Sequence, residues 1–343
     1  MPTVIVDRDN PDAAAIARGA ELLRAGGLVA FPTETVYGLG AHALDAAAVR
    51  RIYEAKGRPS YNPLIVHIAE SAAARELVVE WTTVAEELSR AFWPGPITLV
   101  LRKRRQVPDE VTAGLDSVAL RMPAHPVALA LLRAARIPVA APSANRSTQL
   151  SPTTAYHVER SLGNSVDLIL DGGPTSVGIE STVLDVRGSR PIILRPGMIG
   201  PRELEPIVGP VSFASDAGGA RDAGLASPGM LDRHYAPLAR LELFDASAAV
   251  LAASRVAELE RAGERVGALV RRAAFTPGPH VIRMPDDPRS YAQRLYDALH
   301  SLDDAGCSAV LVERVPPDEA WAAIRDRLER AAHDAGTHGR GTT

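Results

Sequence analysis

The sequence predicts an α/β protein built from two domains joined by a linker. Helix-like and strand-like segments alternate along almost the whole chain, which is typical of α/β folds. The chain has 343 residues, and at about 150 residues per domain this length favours two domains. Between about Gly200 and Ala239 the sequence is rich in Gly, Pro, Ser, Ala and Asp, which indicates a linker between them.

The first domain, residues 1–203, is predicted from the spacing of its apolar residues. Helical spacing runs through 13–25 and stops at a Gly-Gly pair, after which 28–31 has the apolar run of a buried strand. Further predicted helices cover 45–56, 84–92, 126–135 and 153–162, and further predicted strands cover 64–68, 98–101, 118–121, 139–141, 167–171, 181–185 and 192–195. Several neighbouring strands have no crossover helix between them, which indicates a mixed sheet.

The second domain is predicted over residues 240–332, after a Gly/Pro/Ser-rich linker at 204–239. Its predicted strands are 240–244, 266–270, 280–283 and 309–312, and its predicted helices are 248–262, 288–302 and 317–332. At about a hundred residues, it is at the small end of the usual size of a domain. The tail, 333–343, is expected to be disordered.

Composition and charge exclude several classes of protein. Hydrophobic residues make up 46% of the chain and charged residues 23%, as in ordinary globular proteins. A net charge of -3 gives no general attraction to nucleic acid or to an anionic membrane. The N-terminus has no signal-peptide pattern, and no apolar run approaches the length of a membrane span. With Cys307 as its single cysteine, we expect a cytoplasmic protein without disulfides or a Cys-rich zinc site.

Common catalytic motifs are absent from the sequence. There is no Gly-Lys dipeptide and therefore no P-loop, and the glycines at 172–178 have the wrong spacing for a dinucleotide-binding turn. Neither a His-Glu-x-x-His pair nor a Gly-x-Ser-x-Gly elbow occurs. Zinc hydrolases and serine hydrolases of the usual types are therefore disfavoured.

Polar clusters instead follow several predicted strands, where α/β proteins bind ligands. The first is 31–40, FPTETVYGLG, whose hydroxyl groups either contact a ligand or satisfy their own backbone. The second, 54–68, places Lys56 and Arg58 on a loop rich in Gly and Pro. A lysine and an arginine placed in this way suit a polyphosphate, although a solvated turn also explains them.

The later clusters leave the same two interpretations open. Arg121 closes a short apolar strand and needs a counter-anion, either from the protein or from a ligand carboxylate. The cluster 141–153, APSANRSTQLSPT, precedes a predicted helix, where it suits an anion or forms an elaborate N-cap. The clusters 172–183 and 193–197 are ambiguous by themselves.

In combination and in this order, the clusters resemble the YrdC/Sua5 family of threonylcarbamoyl-AMP synthases. The family mark is K-x-R followed by S-x-N, here Lys56, Arg58, Ser143 and Asn145. The segments PTETVYGLG, KxRPxxxPL, PSAN, SPT, GIESTV and LRPG also match, and SPGMLDRHYAP at 227–237 resembles the linker of the long Sua5 form. The resemblance implies a YrdC-like twisted mixed sheet with helices, followed by a smaller Rossmann-like α/β Sua5 domain.

The resemblance also implies a site for each substrate, with Lys56, Arg58, Ser143 and Asn145 as the catalytic set. The residues implied to hold L-threonine are Thr35, His67, Arg121 with the substrate carboxylate, the Ala141 backbone and Ser181. Those implied to surround ATP are Lys56, Arg58, Asn62, Ser117, Ser143, Asn145, Ser151, Arg195 and a linker residue near His234 or Tyr235. The chain departs from the family pattern at Thr148, where glycine is usual, which puts the shape of that loop in question.

The implied reaction joins L-threonine, bicarbonate and ATP into threonylcarbamoyl-AMP, with release of pyrophosphate and water. We expect Mg²⁺ on the ATP phosphates, no protein ligand for the metal, no covalent nucleophile, and a linker that covers the site. In the family, the product passes to a tRNA threonylcarbamoyl transferase, which modifies adenosine 37 of tRNAs that read ANN codons.

Two other functions stay open at this stage. YrdC-type domains resemble binders of double-stranded RNA, and the basic run 102–105 would favour a weak contact with tRNA or double-stranded RNA, although such a run is usually a solvated face. The YrdC-like segment of hydrogenase-maturation proteins uses carbamoyl phosphate instead of threonine. The acylphosphatase and zinc-finger segments of those proteins are missing here, which counts against that alternative.

Overall fold

A computed structural model describes residues 2–214, 235–276 and 278–333 of the chain. It divides into two compact units, residues 1–147 with 151–230 and residues 148–150 with 231–343. The predicted boundaries at 203, 239 and 332 remain predictions. Much of the predicted linker, the residue His234 and almost all of the predicted tail lie outside the described residues.

The first unit contains short strands connected by helices and turns. Its described strands are β1 (Thr3–Ile5), β2 (Val29–Phe31), β3 (Gly38–His42), β4 (Ile65–His67), β5 (Ile97–Arg102), β6 (Ser117–Arg121), β7 (Val139–Ala140), β8 (Leu168–Asp171), β9 (Thr182–Asp185), β10 (Ile192–Arg195) and β11 (Ser212–Phe213). Its described helices are α1 (Ala13–Arg24), α2 (Ala46–Lys56), α3 (Ser71–Leu77), α4 (Thr83–Phe92), α5 (Asp109–Thr112), α6 (Pro126–Ala135), α7 (Ala155–Leu162) and α8 (Pro201–Val208).

These strands form one mixed sheet, as the sequence predicts. Within the described residues the strand order is β1-β8-β2-β3-β7-β4-β6-β5-β9-β10-β11. The pairs β4/β6 and β5/β9 are parallel, whereas β5/β6, β4/β7 and β9/β10 are antiparallel. Strands from distant parts of the sequence therefore lie side by side at the centre of the sheet.

Both faces of the sheet are covered, because successive side chains of β2 pack into two different cores. Val29 and Phe31 pack into a core with residues of α1 and α6, whereas Ala30 packs into a second core with residues of α2 and α4. Helix starts are fixed locally: the Asp12 carboxylate accepts from the backbone N–H of Ala15 at 2.7 Å, which caps α1. The apolar faces of these helices thus hold the central strands in place.

Some elements of the first unit were not predicted. Strand β3 begins within FPTETVYGLG and continues to His42. The sequence indicated this segment only as a polar turn, because glycine has a low strand propensity. The reason for glycine is close packing: a Cβ on Gly40 would lie 2.8 Å from the Phe31 ring and 2.9 Å from Val139. Residues 204–214, assigned to the linker from composition, form the end of α8 and the edge strand β11, and Leu204 is buried.

The second unit is a smaller parallel α/β sheet, as the resemblance implied. Its described strands are β12 (Arg240–Phe244), β13 (Val266–Val270), β14 (Val281–Arg283) and β15 (Ala309–Glu313), and its described helices are α9 (Ala249–Arg261), α10 (Pro288–Asp304) and α11 (Ala322–Ala332). The strand order is β12-β15-β13-β14, with parallel pairing throughout the described part. Within the described ranges, no helix has the length and apolar character required to cross a membrane.

Candidate active site

The centre of the site is a pair of residues on adjacent strands. Strands β4 and β6 run parallel with His67 opposite Arg121, so the two side chains emerge on the same face of the sheet. Both are buried, with 3% and 4% of their surface exposed. Burial, reinforced by the positive charge of Arg121, lowers the pKa of His67 to about 3, and the imidazole is therefore neutral at pH 7. Its Nδ1 has no hydrogen-bond partner among the described residues.

All three guanidinium nitrogens of Arg121 are held by the protein. Nη2 donates to the Glu34 carboxylate at 2.6 Å, Nη1 to the Thr35 hydroxyl at 2.9 Å, and Nε to the Gly95 carbonyl at 3.3 Å. A guanidinium has five N–H groups, so two remain after these bonds. The sequence left open whether the counter-anion comes from the protein or from a ligand. Glu34 is the protein's counter-anion, and the two remaining N–H groups of the Arg121 guanidinium can donate to a second carboxylate.

The turn that carries Thr35 is fixed by Thr33. Its hydroxyl oxygen accepts from the backbone N–H groups of Thr35 and Val36, each at 3.2 Å, and lies 2.8 Å from the Thr35 hydroxyl. Thr33 and Thr35 are both buried. The structure therefore places Thr35 beside Arg121 in a rigid turn, at the edge where β2 ends.

Lys56 joins two of the predicted motifs to each other. It is the last residue of α2, and its ammonium group donates to the carbonyl of Ser143 at 2.6 Å and to the carbonyl of Asn145. In return, the backbone N–H of Ser147 donates to the Lys56 carbonyl at 2.8 Å. Burial, and after it the charge of Arg58, lowers the pKa of Lys56 well below its usual value.

Arg58 and Asn62 form a second buried group. The helix ends at Gly57 with a φ of +58°, a left-handed conformation that glycine adopts without strain. The chain turns there, and Arg58 Nη2 donates to Asn62 Oδ1 at 2.6 Å while Nε donates to the Asn62 carbonyl at 3.1 Å. The Asn62 Nδ2 group is buried without a hydrogen-bond partner among the described residues, so it can donate to a ligand.

The segment 141–145 continues from β7. The backbone N–H of Ala141 donates to the Ile65 carbonyl at 2.9 Å, next to β4. Ser143 is half-buried and forms an isolated β-bridge with Gly38, and Asn145 Nδ2 donates to the Arg146 carbonyl at 2.8 Å. These contacts bring the S-x-N motif beside the end of α2 and beside β3.

Ser181 and Arg195 meet on the other side of β6. Arg195 Nη2 lies 3.0 Å from the Ser181 carbonyl and 3.2 Å from its hydroxyl, to both of which it donates. The Ser181 hydroxyl also shares a hydrogen bond of 2.8 Å with Thr98 on β5. Glu180, which precedes Ser181, accepts a hydrogen bond of 2.5 Å from the buried Ser151 hydroxyl. A predicted threonine-binding residue and a predicted ATP-binding residue are thus in direct contact.

Two further predicted ATP-binding residues lie at the start of β6 and in the second unit. Ser117 is buried at the first residue of β6, the opposite end from Arg121, and within the described chain its hydroxyl bonds to no other predicted site residue. Tyr235 belongs to the second unit, where it is 1% exposed and packs between the Tyr296 ring at 6.2 Å and the Arg327 guanidinium at 4.8 Å. The roles of both, and of every other predicted site residue, stay predictions.

Thr148 adopts a backbone conformation that favours glycine, the residue usual at this place in the family pattern. Its φ is +70°, in the left-handed region that is unusual for a β-branched residue. Within the second unit, which includes 148–150, its carbonyl accepts from the N–H of Ala236 at 3.0 Å. The loop therefore has a left-handed turn at this position although the residue is threonine.

Glu34, Thr98 and Glu180 were not assigned a role from the sequence. Glu34 and Glu180 stand inside motifs that match the family, and the need of Arg121 for a counter-anion indicated an acidic partner without identifying Glu34. Thr98 carries no comparable signal, because its contact with Ser181 depends on the parallel pairing of β5 with β9.

The described residues contain no group of three or more His, Cys, Asp or Glu side chains placed to hold a metal ion. They do contain buried cationic side chains on neighbouring segments, beside a neutral imidazole and several hydroxyl groups. Such a set binds carboxylate and phosphate groups through charge-assisted hydrogen bonds. The features define a two-domain α/β protein whose first domain can bind anionic small molecules.

Comparisons with known proteins agree with this class. The Sua5/YciO/YrdC family model, described as telomere recombination, matches residues 21–197, and a model described as threonylcarbamoyl-AMP synthase, C-terminal domain, matches 199–333. A relative from Pyrococcus abyssi named threonylcarbamoyl-AMP synthase is 40% identical over 335 residues, which is 97% of this chain and 98% of that protein. A relative of the same name from Bacillus subtilis is 43% identical over 92% of each chain.

A solved structure extends the likeness to three dimensions. The crystal structure of P. abyssi Sua5 complexed with L-threonine matches with a TM-score of 0.89 and 40% identity, over 97% of this chain and 98% of that one. The chain belongs to the YrdC/Sua5 family of threonylcarbamoyl-AMP synthases, in its long two-domain form.

Proposed function

We propose that this protein is an L-threonylcarbamoyladenylate synthase, a nucleotidyltransferase that makes threonylcarbamoyl-AMP from L-threonine, bicarbonate and ATP. The observation that carries the proposal is the pair of Arg121 and His67, a guanidinium with two N–H groups to spare beside a buried neutral imidazole. This pair suits the carboxylate and amino groups of an amino acid. The P. abyssi relative with L-threonine bound supports the choice of amino acid.

The threonine subsite would consist of the Arg121 and His67 pair and the groups around it. The guanidinium receives the carboxylate, and the unpartnered Nδ1 of the neutral ring can bond to a polar group of the substrate. The hydroxyls of Thr35 and Ser181 and the backbone of Ala141 would complete the subsite.

The ATP subsite would use the residues around Lys56 and the cations near it. Arg58 and Arg195 supply charge for the phosphates, and Asn62 supplies a spare amide donor. The remaining members of the proposed subsite are Ser117, Ser143, Asn145, Ser151, His234 and Tyr235. Mg²⁺ usually keeps several waters and binds through substrate phosphates. An ion bound through phosphates does not need a cluster of protein carboxylates, and the described residues contain none. The ion would neutralise phosphate charge.

The chemistry would proceed in two bond-forming steps. The neutral threonine amine attacks the carbon of bicarbonate, and the carbamate forms with loss of water. If bicarbonate first loses water to give carbon dioxide, the amine adds to carbon dioxide and the carbamate forms with loss of a proton. A carbamate oxygen then attacks the α-phosphorus of ATP, and pyrophosphate leaves. Both steps need positioning and neutralisation of charge more than a covalent catalyst. The buried cations would neutralise the charge, and the fixed hydrogen-bond donors would position the substrates.

The product would be consumed by a transferase that moves the threonylcarbamoyl group to adenosine 37 of tRNA, and we place the protein in the cytoplasm. The basic run at 102–105 gives little support to RNA binding. Lys103 bonds to Asp109 at 2.5 Å and Arg104 Nε donates to the Val78 carbonyl at 2.6 Å. Two of its four cations therefore hold local structure.

The test is pyrophosphate release from ATP with bicarbonate, with each amino acid supplied in turn. Release that requires both bicarbonate and L-threonine supports the proposal, with Lys103→Ala as a control that should behave like wild type. Release that instead depends on carbamoyl phosphate, without threonine, contradicts it in favour of a carbamoyl-adenylating enzyme. Tight tRNA binding with strong salt dependence and no turnover contradicts it in favour of an RNA-binding protein.

A further inference from the structure

Glu34 is a buried carboxylate with both oxygens engaged. Oε1 accepts from Arg121 Nη2 at 2.6 Å, and Oε2 accepts from the backbone N–H of Ala124 at 2.9 Å. Glu34 is 6% exposed and Arg121 4%. Ion pairs at the surface contribute little to stability, whereas removing one member of a buried pair leaves the other charge without compensation. Arg121 therefore depends on Glu34 for its charge balance.

The backbone at this position links the turn to a third segment of the site. The Glu34 carbonyl accepts from the N–H of Val177 at 2.7 Å, and the next carbonyl accepts from the N–H of Gly178 at 3.1 Å. Residues 177–178 lead directly to Ser181. The side chain of Glu34 meanwhile reaches the segment after β6, through Ala124. One residue thus connects three segments that surround Arg121.

We propose that Glu34 is a positioning residue, which holds the guanidinium of Arg121 in the orientation that receives the carboxylate of the amino-acid substrate. The inference rests on the proposed function. Contacts at all three nitrogens prevent rotation of the guanidinium plane, and they fix the directions of its two remaining N–H groups. Because Glu34 already balances the charge, a substrate carboxylate binds through these directed hydrogen bonds rather than through an excess of positive charge.

Two variants of Glu34 change its charge and its length separately. Glu34→Gln keeps the size but has one acceptor oxygen for two donors, so an N–H of its amide must face either Arg121 or the Ala124 N–H. Glu34→Asp keeps the charge but is shorter by one methylene and cannot reach both partners equally well. Glu86→Gln is the matched control, because Glu86 is a half-buried carboxylate outside the site that likewise accepts hydrogen bonds, here from Arg75, Arg90 and Trp81.

The experiment measures KM for L-threonine, KM for ATP and kcat by pyrophosphate release, and the rise in Tm caused by each substrate. For Glu34→Gln we expect KM for threonine to rise about tenfold or more, equivalent to about 1.4 kcal/mol of binding free energy. KM for ATP should change less than about twofold, because the hydrogen bonds of Glu34 go to Arg121, Ala124 and Val177 and to no residue of the proposed ATP subsite. The threonine-induced rise in Tm should shrink, while the rise with ATP persists. Glu34→Asp should lie between wild type and Glu34→Gln, and Glu86→Gln should match wild type.

A lower Tm with both KM values unchanged, or a parallel rise in both, overturns the proposal and leaves Glu34 a structural role only. If Glu34→Gln does not fold, a wild-type KM for threonine in Glu34→Asp overturns it equally. Absence of threonine-dependent release by the wild-type protein contradicts the proposed function itself. Normal release by wild type with an unchanged threonine KM in the variant contradicts only the inference about Glu34.

Discussion

The carbonyl of Ser143 accepts a hydrogen bond of 2.6 Å from the ammonium group of Lys56. The same ammonium group donates to the carbonyl of Asn145, so one buried cation holds the backbone of the S-x-N motif at two points. Sequence reasoning placed Lys56 on the phosphates of ATP. The geometry adds a role in shaping the loop that presents Ser143 and Asn145, and this makes the two halves of the family mark one physical unit.

Replacing Lys56 should therefore disable the site without unfolding the protein. In Lys56→Ala, two carbonyls lose a buried donor at about 1–3 kcal/mol each, and we expect turnover to fall by about 100-fold or more. Pyrophosphate release measures the loss, and far-UV circular dichroism checks the fold. Lys103→Ala removes the only other lysine of the sequence, which pairs with the exposed Asp109 outside the site, and should retain wild-type turnover. Near-normal turnover in Lys56→Ala would refute its role.

Arg121→Lys should weaken threonine binding selectively. Lysine keeps the charge but lacks the planar fork, so it cannot contact Glu34, Thr35, Gly95 and a substrate carboxylate together. We expect KM for threonine to rise by about 10- to 100-fold, since a hydrogen bond to a charged group contributes about 1.5–3 kcal/mol. Saturation curves for each substrate measure the effect, with Arg187→Lys as the control at an ion pair outside the site. An unchanged threonine curve would remove Arg121 from the site.

Acid should destabilise the folded protein partly through His67. Its pKa is about 3 when folded, against an ordinary value of 6.5, so the unfolded chain binds a proton more readily. Above about pH 6.5, His67 is neutral in both states and does not lower the free energy of unfolding. As the pH falls from about 6.5 toward about 3, the unfolded chain takes up the proton first and the free energy of unfolding decreases. At pH 5 the loss is about 2 kcal/mol, because the slope is about 1.4 kcal/mol per pH unit.

The comparison of His67→Asn with wild type isolates this effect. The variant cannot titrate at position 67, so its free energy of unfolding should fall by about 2 kcal/mol less than that of wild type between pH 7 and pH 5. Urea denaturation at the two pH values measures the difference. Burial also lowers the pKa of His125 and of His157 to about 4, and both are present in both proteins. Equal pH dependence in the two proteins would contradict the assignment.

Thr98→Val should raise KM for threonine through Ser181. Valine has the same shape but lacks the hydroxyl that bonds to Ser181 at 2.8 Å, so the Ser181 hydroxyl keeps only its contact with Arg195. A net loss of about 1 kcal/mol corresponds to a rise of about fivefold. In a double-mutant cycle, Thr98→Val should have no further effect on a Ser181→Ala protein. Additive effects would show that Thr98 acts independently of Ser181.

The sequence predicted the classes of element well and their contacts less well. The mixed sheet is confirmed, because apolar periodicity and the absence of crossover helices carry that information. The smaller second domain that the resemblance implied is confirmed as a parallel α/β sheet. Strand β3 was not predicted, since the glycines that let it pack against Phe31 lower its strand propensity. Arg121 was predicted to need an anion, but Glu34 could not be chosen, because its proximity arises from pairing between distant strands. The same limit applies to Thr98 and Ser181.

The order of the strands has a consequence for how the protein folds. Residues of the site come from segments as far apart as Thr35 and Arg195, and strands β7, β4, β6, β5, β9 and β10 must all be in register before the segments meet. Such distant pairings close long loops and form slowly compared with helices. During refolding, helical signal should therefore return before threonine can bind. A nascent chain that has not reached Arg195 lacks one of the proposed site residues, so binding competence should mark the joining of these central strands.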